Sequence, residues 1–200
     1  MLRKAKREAI LKILEEVYKD TKTALNYNSP FELLIAVILS AQCTDDRVNI
    51  ITARIFPRLN TPEKMGALTQ EEMEAEIRDC GLYHAKAKNI LATCHMLVEK
   101  FNSTVPDSIE KLMELPGVGK KTANVIASIV YKIPAIAVDT HVFRVSHRLG
   151  LAKGADPLAT ELELQKAIPK ENWSDAHHWL IWHGRKICKA RNPLCNQCYL

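Results

Sequence analysis

Leu115-Pro116-Gly117-Val118-Gly119-Lys120-Lys121-Thr122-Ala123 is the stretch on which the fold of this sequence is decided. It falls between a helix expected over about Ser108 to Met113 and another over about Lys120 to Tyr131. Glycines at 117 and 119 permit positive φ and leave no side chain to block close approach. The second helix then begins with its N–H groups pointing out of the turn, an anion cradle suited to a phosphodiester. A nucleotide-triphosphate loop is the competing pattern. It needs a glycine at position 114, which is Glu114, and a preceding strand, which the sequence does not offer. As a unit between two helices, the stretch reads as a helix–hairpin–helix element gripping a DNA backbone through Gly117, Val118, Gly119 and Lys120.

Outward from the hairpin the periodicity is helical nearly everywhere. Ile10, Ile13, Leu14 and Val17 form one apolar stripe, and Leu91, Met96 and Val98 lie on a later one. Asn28-Ser29-Pro30 opens the helix carrying FELLIAVILSAQ, and Thr61-Pro62-Glu63 opens another. Thr69 with Glu72, and Asp107 with Glu110, have capping-box spacing. No alternating strand pattern, repeat or Gly/Ser linker interrupts this, so the expectation is about ten helices in an all-α protein. Two lobes, if present, must share the chain discontinuously, with the first helix beside the C-terminal third.

The chain of 200 residues is long enough for one large domain or two small lobes. With 47% hydrophobic and 26% charged residues it is of ordinary globular composition, which excludes a disordered or collagen-like chain. Its longest apolar run, Leu33 to Ser40, falls well short of the roughly 18 residues that span a bilayer. The formal net charge is +5, unevenly placed: Glu63 to Asp79 carries −4, leaving +9 on the rest. Arg185, Lys186, Lys189 and Arg191 fall within seven residues that hold no acid. On charge alone, a nucleic-acid-facing side and a plain solvated surface are both open.

The basic, acid-containing N-terminus has no secretory pattern, so a cytoplasmic, reducing setting is expected. Clustered cysteines there mean metal more often than disulfide. Cys188, Cys195 and Cys198 are clustered, whereas Cys43, Cys80 and Cys94 stand singly and read as buried free thiols. Trp173, Trp179 and Trp182, with His177 and His178, read as the core side of the last helix.

With Val138-Asp139-Thr140-His141 placed eighteen residues beyond Lys121, the hairpin resembles the endonuclease III family of DNA glycosylases. The likeness runs from FELLIAVILSAQCTD through GLYHAKAKNI and the hairpin to HHWLIWHGRKIC, nearly the whole chain. It implies a two-lobed helix–hairpin–helix glycosylase fold with DNA in the cleft between the lobes. One lobe is a six-helix bundle over residues 22 to 132. The other joins residues 1 to 21 to 133 to 200 and carries an iron–sulfur site.

Lys121 falls on the family's lysine nucleophile. A solvated lysine stays protonated and is no nucleophile, but a helix N-terminus, the neighbouring Lys120 and partial desolvation all favour the neutral amine. A neutral amine can form a Schiff base with a sugar carbon. Read from the residues alone, Lys121 is equally well a phosphate contact. Asp139 reads unaided as a helix N-cap; the resemblance adds that it assists the lysine and stabilises positive charge on the deoxyribose. His141 reads as a packing residue. Gln42 and Leu82 match family wedges that fill the duplex when the target base is flipped out, although Leu82 unaided could be a core residue.

Cys188, Cys195 and Cys198 have C-x6-C-x2-C spacing. In the family this run continues to a fourth cysteine, and the four ligate a 4Fe–4S cluster. That cysteine would stand at position 204, beyond Leu200, and the expectation is a truncated chain. An open iron site, no cluster, or zinc with His183 as a fourth ligand stay open. Lys189 and Arg191, inside the cysteine loop, would be held by the metal toward phosphate.

The resemblance thus implies a monomeric base-excision repair enzyme acting on double-stranded DNA with damaged pyrimidines or abasic sites. It would remove oxidised pyrimidines and cut the strand by β-elimination. A monofunctional glycosylase lacks the lysine, and its adenine branch uses a glutamate in the early helix; Leu33 to Thr44 contains no carboxylate. A non-catalytic DNA-binding module would use the hairpin for phosphate contact only.

Overall fold

Ser29, Thr44, Thr61 and Thr69 each take an extended conformation and accept a backbone N–H three residues ahead, so the sequence's polar punctuation becomes the helix starts. In the computed structural model, which describes residues 3–200, the chain runs through eleven α-helices. They are α1 (Lys4–Tyr18), α2 (Pro30–Leu39), α3 (Asp45–Ile55), α4 (Pro62–Gly66), α5 (Gln70–Glu76) and α6 (Tyr83–Phe101). There follow α7 (Ile109–Leu112), α8 (Lys120–Tyr131), α9 (Thr140–Leu149), α10 (Pro157–Ala167) and α11 (Trp173–Lys186). Short 3-10 turns stand at Lys170–Asn172 and Cys195–Gln197, and no strand occurs among the described residues. The all-α expectation is met.

The Thr69 capping box forms, with the Glu72 carboxylate accepting the Thr69 N–H at 2.8 Å. The expected box at Asp107 and Glu110 does not. Ser108 caps α7 instead, its hydroxyl accepting from the Lys111 N–H, and the helix is a single turn.

The chain divides into two compact units, Ala24–Tyr131 and the remainder, which joins the residues up to Thr23 to Lys132–Leu200. Residues 1 and 2 of the expected second lobe lie outside the described residues. The first unit holds α2 to α8. Its centre is α2, whose residues from Phe31 to Leu39 are all buried and which packs against α3, α6 and α8. Each large aliphatic side chain buried there contributes about 1.5–3 kcal/mol relative to exposure. Glu32 shares this burial, and its Oε2 accepts the Asn28 backbone N–H at 2.6 Å and the Asn28 amide at 3.1 Å. The charge therefore enters the interior with partners.

In the second unit α11 packs against both α1 and α9. Its core joins Ile10, Leu11, Leu14 and Tyr18 of α1 to Val142 and Val145 of α9 and Trp179 and Leu180 of α11. The α1 stripe is thus rotated from the expected one: Val17 is 42% exposed and Tyr18 is buried. Val98 of α6 is likewise exposed, and the buried face runs through Ile90, Cys94 and Leu97. Trp179 is buried as expected. Trp182 lies at the core margin, its indole N–H bonded to the Lys22 carbonyl and two cations, Arg185 and Lys186, over its ring.

Candidate active site

The hairpin joins α7 to α8 and rests on α6. Gly117 adopts φ +77°, and a Cβ there would meet the Cβ of Asn89 on α6 at 2.9 Å. Both conformation and space therefore require glycine. Thr93, one turn further along α6, donates to the Pro116 carbonyl at 2.7 Å. The Val118 side chain is buried and its N–H donates to the Leu115 carbonyl, so this residue shapes the turn. Gly119 differs: a Cβ there would find nothing within 4 Å. Packing does not require this glycine, and its lack of a side chain leaves the backbone open to approach.

From Gly119, whose carbonyl accepts the Ala123 N–H at 2.9 Å, α8 proceeds with Lys120 and Lys121 in its first turn, both exposed. The expected partial desolvation of Lys121 is not supplied by the chain, because the first turn of α8 turns this side chain outward.

Asp139 is the N-cap of α9, its Oδ1 accepting the Val142 N–H at 2.7 Å. The apolar residues before it, Ile136 to Val138, are buried and anchor the cap. His141, one residue past Thr140, accepts from the Arg144 guanidinium at 3.2 Å. Burial pushes its pKa down, against the opposing Asp139 charge.

Gln42 and Leu82 share a feature that composition does not show. Both are exposed, and both hold left-handed φ, 53° and 60°. For a leucine this conformation is rare and strained. Leu82 is 58% exposed, which removes the core reading and places an apolar side chain at a solvent-facing turn. The two turns touch, since a Cβ on Gly81 would lie 3.2 Å from the Gln42 carbonyl.

Among the described residues no group of three or more His, Cys, Asp or Glu converges to hold a metal ion. Cys188 and Cys198 are partly buried and Cys195 is exposed. His183 presents Nε2 to the Cys198 sulfur at 3.8 Å and Nδ1 to the Tyr18 hydroxyl at 3.1 Å. A 4Fe–4S cluster takes four thiolates, of which Cys188, Cys195 and Cys198 would supply three. The structure also shows what sequence reasoning missed. Arg144 donates from Nε to the Cys188 carbonyl at 3.1 Å and from Nη2 to the Gly184 carbonyl at 3.0 Å. Arg148 donates to the Lys189 and Ala190 carbonyls at 2.7 and 3.3 Å. Two arginines one helical turn apart on α9 thus fix the backbone that bears Lys189 and Arg191, both exposed. Their i, i+4 spacing on the helix that Asp139 caps was the available signal.

The all-α fold, with a glycine hairpin leading into α8, is that of a helix–hairpin–helix DNA glycosylase. Residues 35–170 match the model of the HhH-GPD superfamily base excision DNA repair protein, and the chain belongs to that family. It is 48% identical over 199 residues to the endonuclease III of Haemophilus influenzae, covering 100% of this chain and 94% of the relative. A trapped endonuclease III–DNA covalent intermediate matches with a TM-score of 0.96 at 49% identity, over 100% of this chain and 94% of that one. A thermostable thymine-DNA glycosylase shares the fold at TM-score 0.85 and 21% identity, over 98% and 93% of the two chains. The chain is accordingly a bifunctional DNA glycosylase and abasic-site lyase of base excision repair. No helix among its described residues is long and apolar enough to cross a membrane.

Proposed function

We propose that this enzyme removes oxidised pyrimidines from duplex DNA and cuts the strand through a Schiff base on Lys121. The observation that carries the reading is an exposed lysine in the first turn of α8, two residues after a glycine with open space around it. Backbone N–H groups at that helix start attract the phosphate beside the target nucleotide. Leu82 and Gln42 fill the space left as the base leaves the stack.

The neutral Lys121 amine attacks C1′ of the flipped nucleotide, and the C1′–N bond breaks with its electron pair passing to the departing base. Bound DNA covers the Lys121 side chain, which the chain alone leaves exposed. The Asp139 carboxylate stabilises the positive charge on the sugar as the bond breaks. One amine proton passes to the departing base. The nitrogen lone pair then forms C1′=N as the C1′–O4′ bond breaks and O4′ takes a proton from water. The resulting iminium acidifies C2′–H. Loss of that proton forms C2′=C3′ as the C3′–O bond breaks, releasing the 3′ strand, and water then frees the lysine. Protons and electron pairs balance among organic groups, so no step is routed through the cysteine loop. One lysine and one aspartate per chain make a single chain the working unit.

The test is base release from duplexes carrying thymine glycol, 8-oxoguanine or a mismatched thymine. Release from thymine glycol, with the other two at least about a hundredfold slower, supports the reading. Equal release from all three contradicts the pyrimidine assignment.

A further inference from the structure

Lys86 is 4% exposed, in the first turn of α6, and none of the chemistry above uses it. A cation near a helix N-terminus is unfavourably placed. Its ammonium reaches out of that helix and spends all three donors elsewhere: on the Leu39 carbonyl at 2.8 Å, the Ala41 carbonyl at 2.6 Å and the Cys80 sulfur at 3.0 Å. Leu39 is the last residue of α2, so the ammonium caps the negative end of that buried helix. The Cys80 thiol donates in turn to the Leu39 carbonyl at 3.3 Å, and burial pushes its pKa up, keeping it a thiol.

The acceptors stand just before the two strained residues. Ala41 precedes Gln42, and Cys80 stands two residues before Leu82. The backbone of Lys86 closes the same knot, its N–H donating to the Leu82 carbonyl at 3.1 Å. Left-handed non-glycine residues persist only where their surroundings over-determine them, and one buried ammonium bonds just before both members of this pair. Resting on the wedge assignment above, we propose that Lys86 is a positioning residue for base flipping: it locks the Gln42 and Leu82 turns together so that both side chains enter the duplex as one rigid unit.

A rigid pair matters most where a base must be unstacked and least where none remains. Lys86→Met, and the milder Lys86→Gln, which keeps two donors, are compared with wild type on two duplexes. One carries thymine glycol opposite adenine and the other an abasic site, each with 2-aminopurine beside the lesion to report unstacking. The expected result is a loss at least about tenfold larger on thymine glycol than on the abasic duplex. The flipping signal slows in parallel, and most of the loss vanishes when the same change is made in a Gln42→Ala/Leu82→Ala background. Equal losses on both duplexes, additive losses in that background, or no loss overturn the proposal. Should Lys86→Met not fold, Lys86→Gln decides by the same criteria. A wild type that neither releases base nor cuts abasic DNA overturns the glycosylase reading and this inference with it; a wild type active on both leaves only the positioning role at stake.

Discussion

The Val142 N–H donates to Asp139 Oδ1 at 2.7 Å, so the carboxylate assigned to the reacting sugar is also the N-cap of α9. One carboxylate carries both the cap and the proposed chemistry. Asparagine caps as well as aspartate but carries no charge. Asp139→Asn is therefore expected to keep the wild-type urea midpoint while base excision falls about a hundredfold or more. Asp139→Ala should lose the same activity and about 1 kcal/mol of stability besides. Single-turnover kinetics beside urea melts separate the two roles.

The two hairpin glycines predict opposite phenotypes. Gly117→Ala meets both a positive φ and Asn89 at 2.9 Å, and should cost at least about 1–2 kcal/mol. Gly119→Ala enters open space and should fold with stability within about 0.5 kcal/mol of wild type. Its methyl group obstructs the phosphate approach, and affinity for abasic-site duplex should fall about tenfold, equivalent to ~1.4 kcal/mol. Thermal melts and fluorescence-anisotropy titration at fixed salt read the two effects.

Leu82 packs little and is 58% exposed, so Leu82→Ala should leave stability within about 0.5 kcal/mol. Excision of thymine glycol from paired duplex should nonetheless drop about tenfold or more, because unstacking a base costs a few kcal/mol. A stability loss without an activity loss would return Leu82 to the core reading.

The hairpin, the helix at Lys120 and the Asp139 cap are legible in the sequence because each depends on local chemistry: glycine conformation, a Pro-Gly turn, a side chain reaching a backbone N–H three residues on. The rotation of α1 was not, since Val17 and Tyr18 are both apolar enough for a core and only tertiary packing chooses between them. Lys86 escaped for a similar reason: a lysine on a helix reads as solvated, and two of its partners lie 45 and 47 residues away. The strained φ values of Gln42 and Leu82 have no sequence signature, because neither is a residue type that favours that region.

Acid should destabilise the unit that holds α9 and α11. Burial pushes the pKa of His178 and His183 below the ordinary histidine value, and burial does the same for His141. The unfolded chain then binds protons that the folded one refuses, so stability rises with pH across that interval. It is fully present above about 6.5 and is lost as pH falls below that value toward the lowered folded pKa values. Urea midpoints at pH 7.5 and 5.0 should differ, and His178→Asn should flatten the dependence. A flat profile in wild type contradicts the buried-neutral state of these rings.

The Schiff base at Lys121 is tested most directly by adding borohydride to wild type and to Lys121→Ala on duplex DNA bearing thymine glycol. Wild type should give a covalent protein–DNA adduct. Lys121→Ala should give none and cut abasic DNA at least about a thousandfold more slowly, with binding within a few fold of wild type. Base release by wild type without a trapped adduct, or an adduct that survives in Lys121→Ala, would contradict the account.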